Sequence, residues 1–222
     1  MLKPHHKIVC CTSVVLLLAS TAHAHVIVDE MESLSGAELA FSYLKLGFRH
    51  ILPLGFDHIL FVLSLFLLNP KLKSVVIQST IFTLAHSITL GLAMYGVLSP
   101  PASLVEPLIS ISIVFVALQN IIAPSLRPSR LIVIFIFGLV HGLGFASSLS
   151  ELGLPQHAFL SSLVLFNLGV ELGQLAVILL AFLLIGIGFG KKTYYRKLIV
   201  VPASLLIILV ASYWTIARIF FT

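Results

Sequence analysis

Residues 158–184 read AFLSSLVLFNLGVELGQLAVILLAFLL, and this stretch decides the fold class. Glu171 is its one charged residue, and its length exceeds the roughly 20 residues with which a helix crosses the hydrocarbon core of a bilayer. A long segment with so little charge needs an apolar solvent, and the interior of a bilayer is one. The stretch therefore predicts a membrane-spanning helix.

The rest of the chain repeats this pattern. The apolar segments are 50–68, 74–97, 103–123, 131–149, 158–184 and 198–220. The first could begin earlier, in the apolar run 39–52, with an interruption at Pro53 because proline breaks the helical hydrogen-bond ladder. We expect an all-α polytopic membrane helix bundle of about six transmembrane helices.

The composition of the 222-residue chain agrees with a membrane protein. It is 59% hydrophobic and 9% charged, whereas soluble domains carry about 25% charged residues. The net charge of +5 does not indicate nucleic-acid binding, because the basic residues are spread over short loops without interleaved aromatic residues. The only cysteines, Cys10 and Cys11, lie near the start of the chain, so the rest has no thiol for a disulfide or a catalytic thiolate.

The amino-terminal residues have the form of a secretory signal. A basic start precedes an apolar core at 8–20 and the small-x-small site Ala22-His23-Ala24. Cleavage there would make His25 the first residue, and its amine and imidazole together could bind a metal; alternatively, it simply begins a flexible segment. The predicted divisions are a signal peptide at 1–24, a short extracytoplasmic acidic segment at 25–40 and a six-helix transmembrane domain at 41–222.

Charge in the loops predicts the orientation. Loops 98–102 and 150–157 have no lysine or arginine, whereas the three other loops are basic. Their basic residues are Lys71, Lys73, Arg127, Arg130, Lys191, Lys192, Arg196 and Lys197. Basic loops mark the cytoplasmic side, and an exported amino terminus predicts the same arrangement. We therefore expect a multi-pass protein of the bacterial inner membrane, with both mature termini outside.

Ionisable side chains within the segments are costly in lipid and indicate a function. Helical spacing predicts one face for His50 and Asp57, with His58 beside them. By depth, the candidate metal ligands converge on the central and outer half of the bundle. They are Asp57, His58, His86, His141 and Glu171, with His50, Glu106, Asn167 and His25 as weaker candidates. Imidazole with carboxylate suits Ni²⁺, Co²⁺ and Zn²⁺, as substrate or bound ion.

Each candidate also has a purely structural interpretation. A membrane histidine often makes an interhelical hydrogen bond, and this is the simplest role for Asn167 and Gln174. Asp57 could form an ion pair with His58 or with Arg49. The expectation of a metal site depends on several such groups meeting in one layer of the bundle.

Four strings resemble the HupE/UreJ family of membrane proteins. They are GFDHILF at 55–61, FTLAHSIT at 82–89, FGLVHGLGF at 137–145 and FNLGVELGQ at 166–174. The resemblance implies a secondary permease for nickel or cobalt that supplies metalloenzymes such as hydrogenase or urease.

The strings also depart from the best-known branch of that family. Asp57 and His58 match its first-helix motif, but His50 is one residue too far from them. In the later motif, Phe137 and Gly144 replace two presumed ligands, a histidine and a glutamate. His86 and Glu171, on other helices, are the candidates to take their place.

The sequence leaves three functions open. The first is secondary transport of a divalent transition metal. The second is an intramembrane metal-dependent hydrolase, in which the same ligands hold Zn²⁺ with one open position and Ser87 or Glu171 is the spare polar group. The third is a non-transporting accessory or assembly protein. The expected partners are the lipid bilayer and the metal ion; a homo-oligomer stays open, and no nucleic acid is expected.

Overall fold

The computed structural model describes residues 35–123, 128–152 and 158–221, without the side chains of 147, 148 and 150–152. The predicted signal peptide and His25 lie outside the described residues. Within them every regular element is a helix, which confirms the all-α class. The helices are α1 (Gly36–Ile51), α2 (Phe56–Leu68), α3 (Leu72–Met94), α4 (Ala102–Ile122), α5 (Ser129–Leu152), α6 (Phe159–Ala181), α7 (Ile187–Phe189) and α8 (Val201–Phe220). A π-helical turn at Phe182–Gly186 joins α6 to α7, and another at Arg196–Val200 leads into α8.

Five helical stretches are long and apolar enough to cross a membrane. They are Leu72–Met94, Ala102–Ile122, Ser129–Ala146, Phe159–Phe189 and Arg196–Phe220. A sixth crossing exists if the bent pair of α1 and α2 forms a single span. The expectation of about six transmembrane helices is therefore confirmed.

The amino-terminal pair is broken. A capping box between Ser35 and Glu38 starts α1, within the segment predicted to be acidic and extracytoplasmic. The chain turns by 68° between α1 and α2, and Pro53, after a cis peptide bond, lies in the break. The prediction that His50 and Asp57 share one helical face is wrong, because they stand on different helices on either side of the break.

Three helix pairs make the most extensive contacts: α3 with α5, α1 with α6, and α4 with α8. The short helix α2 lies among them and packs against α4, α6 and α8. His58, Phe61 and Leu65 are among its buried residues. The centre of the bundle is therefore built around a helix that does not itself reach across the membrane.

Close approach of two pairs depends on glycine. A Cβ atom on Gly142 of α5 would collide with the His86 carbonyl and the Thr89 hydroxyl of α3. A Cβ atom on Gly169 of α6 would likewise collide with the Leu44 carbonyl of α1. Small residues let membrane helices approach closely. Here they bring the backbone of α3 close to that of α5 and the backbone of α1 close to that of α6.

A histidine cluster at the centre of the bundle

Four helices each contribute one histidine to the same place. His50 lies in the last turn of α1, His58 in the first turns of α2, His86 in α3 and His141 in α5. The ring centroids of His50 and His58 are 4.7 Å apart, and those of His58 and His141 are 5.0 Å apart. His86 lies 5.9 Å from His58 and 6.1 Å from His50. We call these four residues the histidine cluster.

The spacing of the ring nitrogens is close to that of a metal site. One nitrogen from each of His50, His58 and His86 lies within 4.8 Å of the other two. Nitrogens bound tetrahedrally at about 2.0–2.1 Å stand about 3.4 Å apart, so small side-chain movements would close the gap. This group of three does not include His141, whose ring lies beside that of His58.

The cluster also leaves nitrogen atoms without partners. Nε2 of His50, His58 and His86 and Nδ1 of His141 are buried and make no hydrogen bond among the described residues. A buried polar atom without a partner is costly, and native structures contain few of them. Four such atoms on neighbouring rings are available to a ligand.

His86 is oriented with its free nitrogen as an acceptor. Its Nδ1 lies 3.3 Å from Oδ1 of Asn167, whose own amide Nδ2 donates to the Leu163 carbonyl at 2.8 Å. Because Asn167 presents its oxygen, His86 Nδ1 must carry the hydrogen, and Nε2 of the neutral ring keeps its lone pair. Metal-binding histidines are typically held by such a second hydrogen bond.

His141 is oriented in the same way from the other ring position. Its Nε2 lies 2.8 Å from Oγ of Ser112, and that hydroxyl donates its hydrogen to the Ile109 carbonyl at 2.6 Å. The Ser112 oxygen is left to accept from His141 Nε2–H, so Nδ1 of the neutral ring has the lone pair. Both rings therefore offer a lone pair on the nitrogen that lacks a partner.

Aromatic residues enclose the histidine cluster. Phe145 lies 3.9 Å from the ring of His50, centroid to centroid, and stacks on Phe166 at 5.1 Å. Phe82 contacts the rings of His58, His86 and His141. This apolar shell excludes water from the side facing the interior of the bundle and strengthens electrostatic interactions within it.

On another side the cluster meets a cavity of about 500 Å³, which we call the vestibule. His50, His58 and His141 line it together with Asp57 and Glu106. The vestibule therefore joins three of the four imidazoles to two carboxylates, the combination that suits divalent transition metals.

Arg218 of α8 holds the carboxylates of the vestibule. Its guanidinium binds Asp57 through its two terminal nitrogens, with Nη2–Oδ2 at 2.8 Å and Nη1–Oδ1 at 3.3 Å. Its Nε lies 3.7 Å from Oε2 of Glu106, and Trp214 packs on the same group at 5.7 Å. Asp57 thus pairs with Arg218, rather than with His58 or Arg49.

Glu171 lies apart, between α3 and α6. It accepts hydrogen bonds from Thr80 at 2.7 Å and from Thr83 at 2.5 Å. Further along, Gln174 binds the hydroxyl of Ser79 and lies 3.4 Å from that of Thr83. We call this row the polar seam. It begins one turn from Asn167 and runs away from the vestibule along two antiparallel helices.

The structure therefore divides the predicted site residues. It brings His58, His86 and His141 together and adds His50, which the sequence ranked lower. Asp57 and Glu106 lie in the vestibule, Asn167 orients His86, and Glu171 belongs to the polar seam. His25 lies outside the described residues.

Two supporting residues did not emerge from the sequence, Arg218 and Ser112. The sequence does contain an indication for Arg218. Basic residues are expected mainly on the cytoplasmic side, so an arginine at the outer end of the last segment is expected to have an acidic partner. Ser112 had none, since a serine in a membrane helix most often bonds back to its own helix.

The fold and the cluster define a polytopic α-helical membrane protein with a buried histidine centre. Comparison with protein families agrees: the HupE/UreJ protein family matches residues 24–218, and the chain belongs to that family. No curated protein and no solved structure matches the chain significantly.

Proposed function

We propose that the protein carries a divalent transition metal, nickel or cobalt, across the bacterial inner membrane by way of the histidine cluster. The observation that supports this most is the set of four buried ring nitrogens, each without a partner, on four different helices. Membership of the HupE/UreJ family supports nickel or cobalt as the metal. Imidazole nitrogen is a preferred ligand of both ions.

Entry begins at the vestibule. Asp57 and Glu106 attract a hydrated cation, and Arg218 already occupies Asp57. An arriving ion must displace this guanidinium before it reaches His58, so Arg218 acts as a tethered competitor. A divalent ion competes for the carboxylate better than a monovalent one, because its Coulomb attraction is twice as large at the same distance.

Binding then exchanges water for imidazole. Asn167 and Ser112 hold His86 and His141 with lone pairs on their free nitrogens, so these rings need no proton rearrangement to bind. His50 and His58 lie on either side of the break between α1 and α2. Movement at this break would open or close the cluster around the ion.

Release proceeds along the polar seam. Thr83, Glu171 and Gln174 present oxygen atoms beyond His86 in the direction of the basic loops. Those loops mark the cytoplasmic end, and both mature termini lie outside. The membrane potential drives a cation inward by about 2.3 kcal/mol per charge for each 100 mV.

The test separates binding from transport. Purified wild type and a His58→Ala variant are titrated with Ni²⁺ and Co²⁺, and uptake of each ion is measured in vesicles. A Thr215→Ala variant is the control, since the Thr215 hydroxyl donates to Ala211 of its own helix, α8. We expect wild type and control to bind and accumulate metal, and His58→Ala to bind it roughly 100-fold more weakly and to accumulate none. Wild type that binds no metal contradicts the proposal.

A further inference from the structure

A second cavity, of about 440 Å³, lies between the amino-terminal ends of α3 and α5. This is the end opposite the vestibule, beside two of the basic loops. Lys71, Lys73 and Arg130 line it, together with Gln78 and the apolar side chains of Ile77 and Leu131. We call it the basic pocket.

Arg130 gives the basic pocket a buried positive charge. Its side chain is only 4% exposed and donates to three amide oxygens, those of Gln78, Gln119 and Asn120, at 3.0, 3.1 and 3.3 Å. It forms no ion pair within the described part of the chain; the nearest ion pairs of the bundle, those of Arg218 with Asp57 and Glu106, lie at the opposite end. Amide oxygens satisfy its hydrogen bonds but leave its charge uncompensated.

No acidic residue of the chain is placed to supply that compensation from the adjacent loops. In sequence, no aspartate or glutamate lies between Asp57 and Glu106 or between Glu106 and Glu151. The helix end adds to the charge, because α3 starts at the pocket and Lys71 provides no side-chain cap for its free N–H groups. The pocket therefore favours an anion from outside the chain.

The other wall of the basic pocket is apolar. Ile77 is 45% exposed, and Leu131 lies on the neighbouring helix at the same level. Both belong to helices that are long and apolar enough to cross a membrane. An occupant must thus be anionic at the end of the bundle and apolar one or two turns further in, which describes a phospholipid better than a soluble anion.

We propose that the basic pocket binds one anionic phospholipid, with its phosphate at Lys71 and Lys73 and an acyl chain against Ile77 and Leu131. Basic pockets between membrane helices on the cytoplasmic side bind such headgroups, and the cytoplasmic leaflet is the anionic one. The bound lipid compensates the charge of Arg130 and joins the ends of α3 and α5, the helices that carry His86 and His141.

The experiment uses the full chain in nanodiscs of phosphatidylcholine with increasing phosphatidylglycerol of the same acyl chains. Native mass spectrometry counts bound lipid, and melting temperature reports stabilisation. The test variant is Lys71→Gln with Lys73→Gln, at two exposed positions. The control is Lys191→Gln with Lys192→Gln, which removes the same charge from exposed positions that do not line the pocket. Inorganic phosphate is titrated separately.

We expect wild type and control to retain one phosphatidylglycerol in preference to phosphatidylcholine. In the test variant that preference should fall roughly thirtyfold, the factor expected for two basic residues at a membrane surface. An equal loss in the control would overturn the proposal, because it would then reflect general surface charge. Binding of inorganic phosphate without a preference for phosphatidylglycerol would overturn it too, by identifying a soluble anion as the ligand.

Discussion

Two buried polar regions of this bundle, around Arg130 and at the histidine cluster, differ in how far their nitrogen atoms are hydrogen-bonded. Arg130, at the basic end, is surrounded by acceptors and uses three nitrogens for three amide oxygens. The histidine cluster, at the centre, has four buried nitrogens with no hydrogen bond among the described residues. Both lie in surroundings where an unsatisfied polar atom is costly. Each of the three Arg130 nitrogens therefore has an acceptor, whereas four ring nitrogens of the histidine cluster have no partner among the described residues.

The difference distinguishes a residue that fastens helices from residues that are available to a ligand. Arg130 connects α3, α4 and α5 through Gln78, Gln119 and Asn120, so its role is to fasten helices. Two of the cluster histidines, His86 and His141, are themselves held by Asn167 and Ser112 in orientations that leave lone pairs free. Substitutions in the two regions should thus affect different measurements, stability in one and metal binding in the other.

The largest effect is expected from Arg130→Ala. The substitution leaves three amide oxygens without donors, two of them on the buried residues Gln78 and Asn120, at about 1–3 kcal/mol for each buried unsatisfied group. We expect the free energy of unfolding to fall by about 4 kcal/mol, measured by denaturation in mixed micelles. Molecules that remain folded should still bind metal with wild-type affinity. An unchanged stability would remove the contrast between the two regions.

His58→Ala should have the reverse effect: metal affinity falls and stability is retained. His58 is the member that contacts the other three rings, so its loss opens the centre of the cluster. We expect roughly a 100-fold loss of nickel and cobalt affinity, the upper end of the range seen when a residue that orients a metal ligand is lost. The yield of folded protein should change little. Isothermal titration and elemental analysis measure the affinity and stoichiometry. If yield falls and affinity holds, the cluster is a packing feature like Arg130.

Asn167→Ala tests whether the orientation of His86 matters. The variant removes the acceptor of the His86 Nδ1 hydrogen without touching the free nitrogen. Loss of a partner that orients a metal ligand typically lowers affinity by a factor of 10 to 100. We expect about tenfold, by the same titration. Asn167→Asp, which keeps an acceptor oxygen, should recover most of the affinity.

Arg218→Gln gives the smallest expected change, and it should raise metal affinity, whereas the histidine-cluster variants lower it. Removing the guanidinium frees Asp57 and takes a positive charge out of the vestibule. Partly exposed ion pairs contribute about 0–1 kcal/mol, so metal affinity should rise by about threefold. Competition against a fluorescent chelator resolves such a change. Weaker binding would mean that Arg218 positions Asp57 and does not compete with the ion.

The sequence was most informative about the long apolar stretches. Hydropathy alone identifies the membrane-crossing helices, because each must satisfy its backbone internally and expose apolar side chains. The HupE/UreJ resemblance, based on four short strings, was confirmed by the family match. Depth along each segment was enough to predict that His58, His86 and His141 approach one another.

The sequence predicts how deep a residue lies in the membrane better than it predicts which neighbouring helix its side chain faces. Glu171 and His86 have similar depths in their segments, but Glu171 faces Thr80 and Thr83 instead of the cluster. Pro53 marked a possible break, but the 68° turn that brings His50 back to His58 is a tertiary property. Arg218 and Asp57 are separated by most of the chain, so their pairing could not be derived from spacing.

The break between α1 and α2 has a consequence for biosynthesis. With 13 residues, α2 is about 20 Å long and cannot cross a hydrocarbon core of about 30 Å by itself. α1 depends on contact with α6, which leaves the ribosome much later. His50 therefore reaches its final position only after the docking surface on α6 has been made. A nascent chain that ends before α6 lacks this docking surface. The cluster is therefore completed only when most of the bundle has been synthesised.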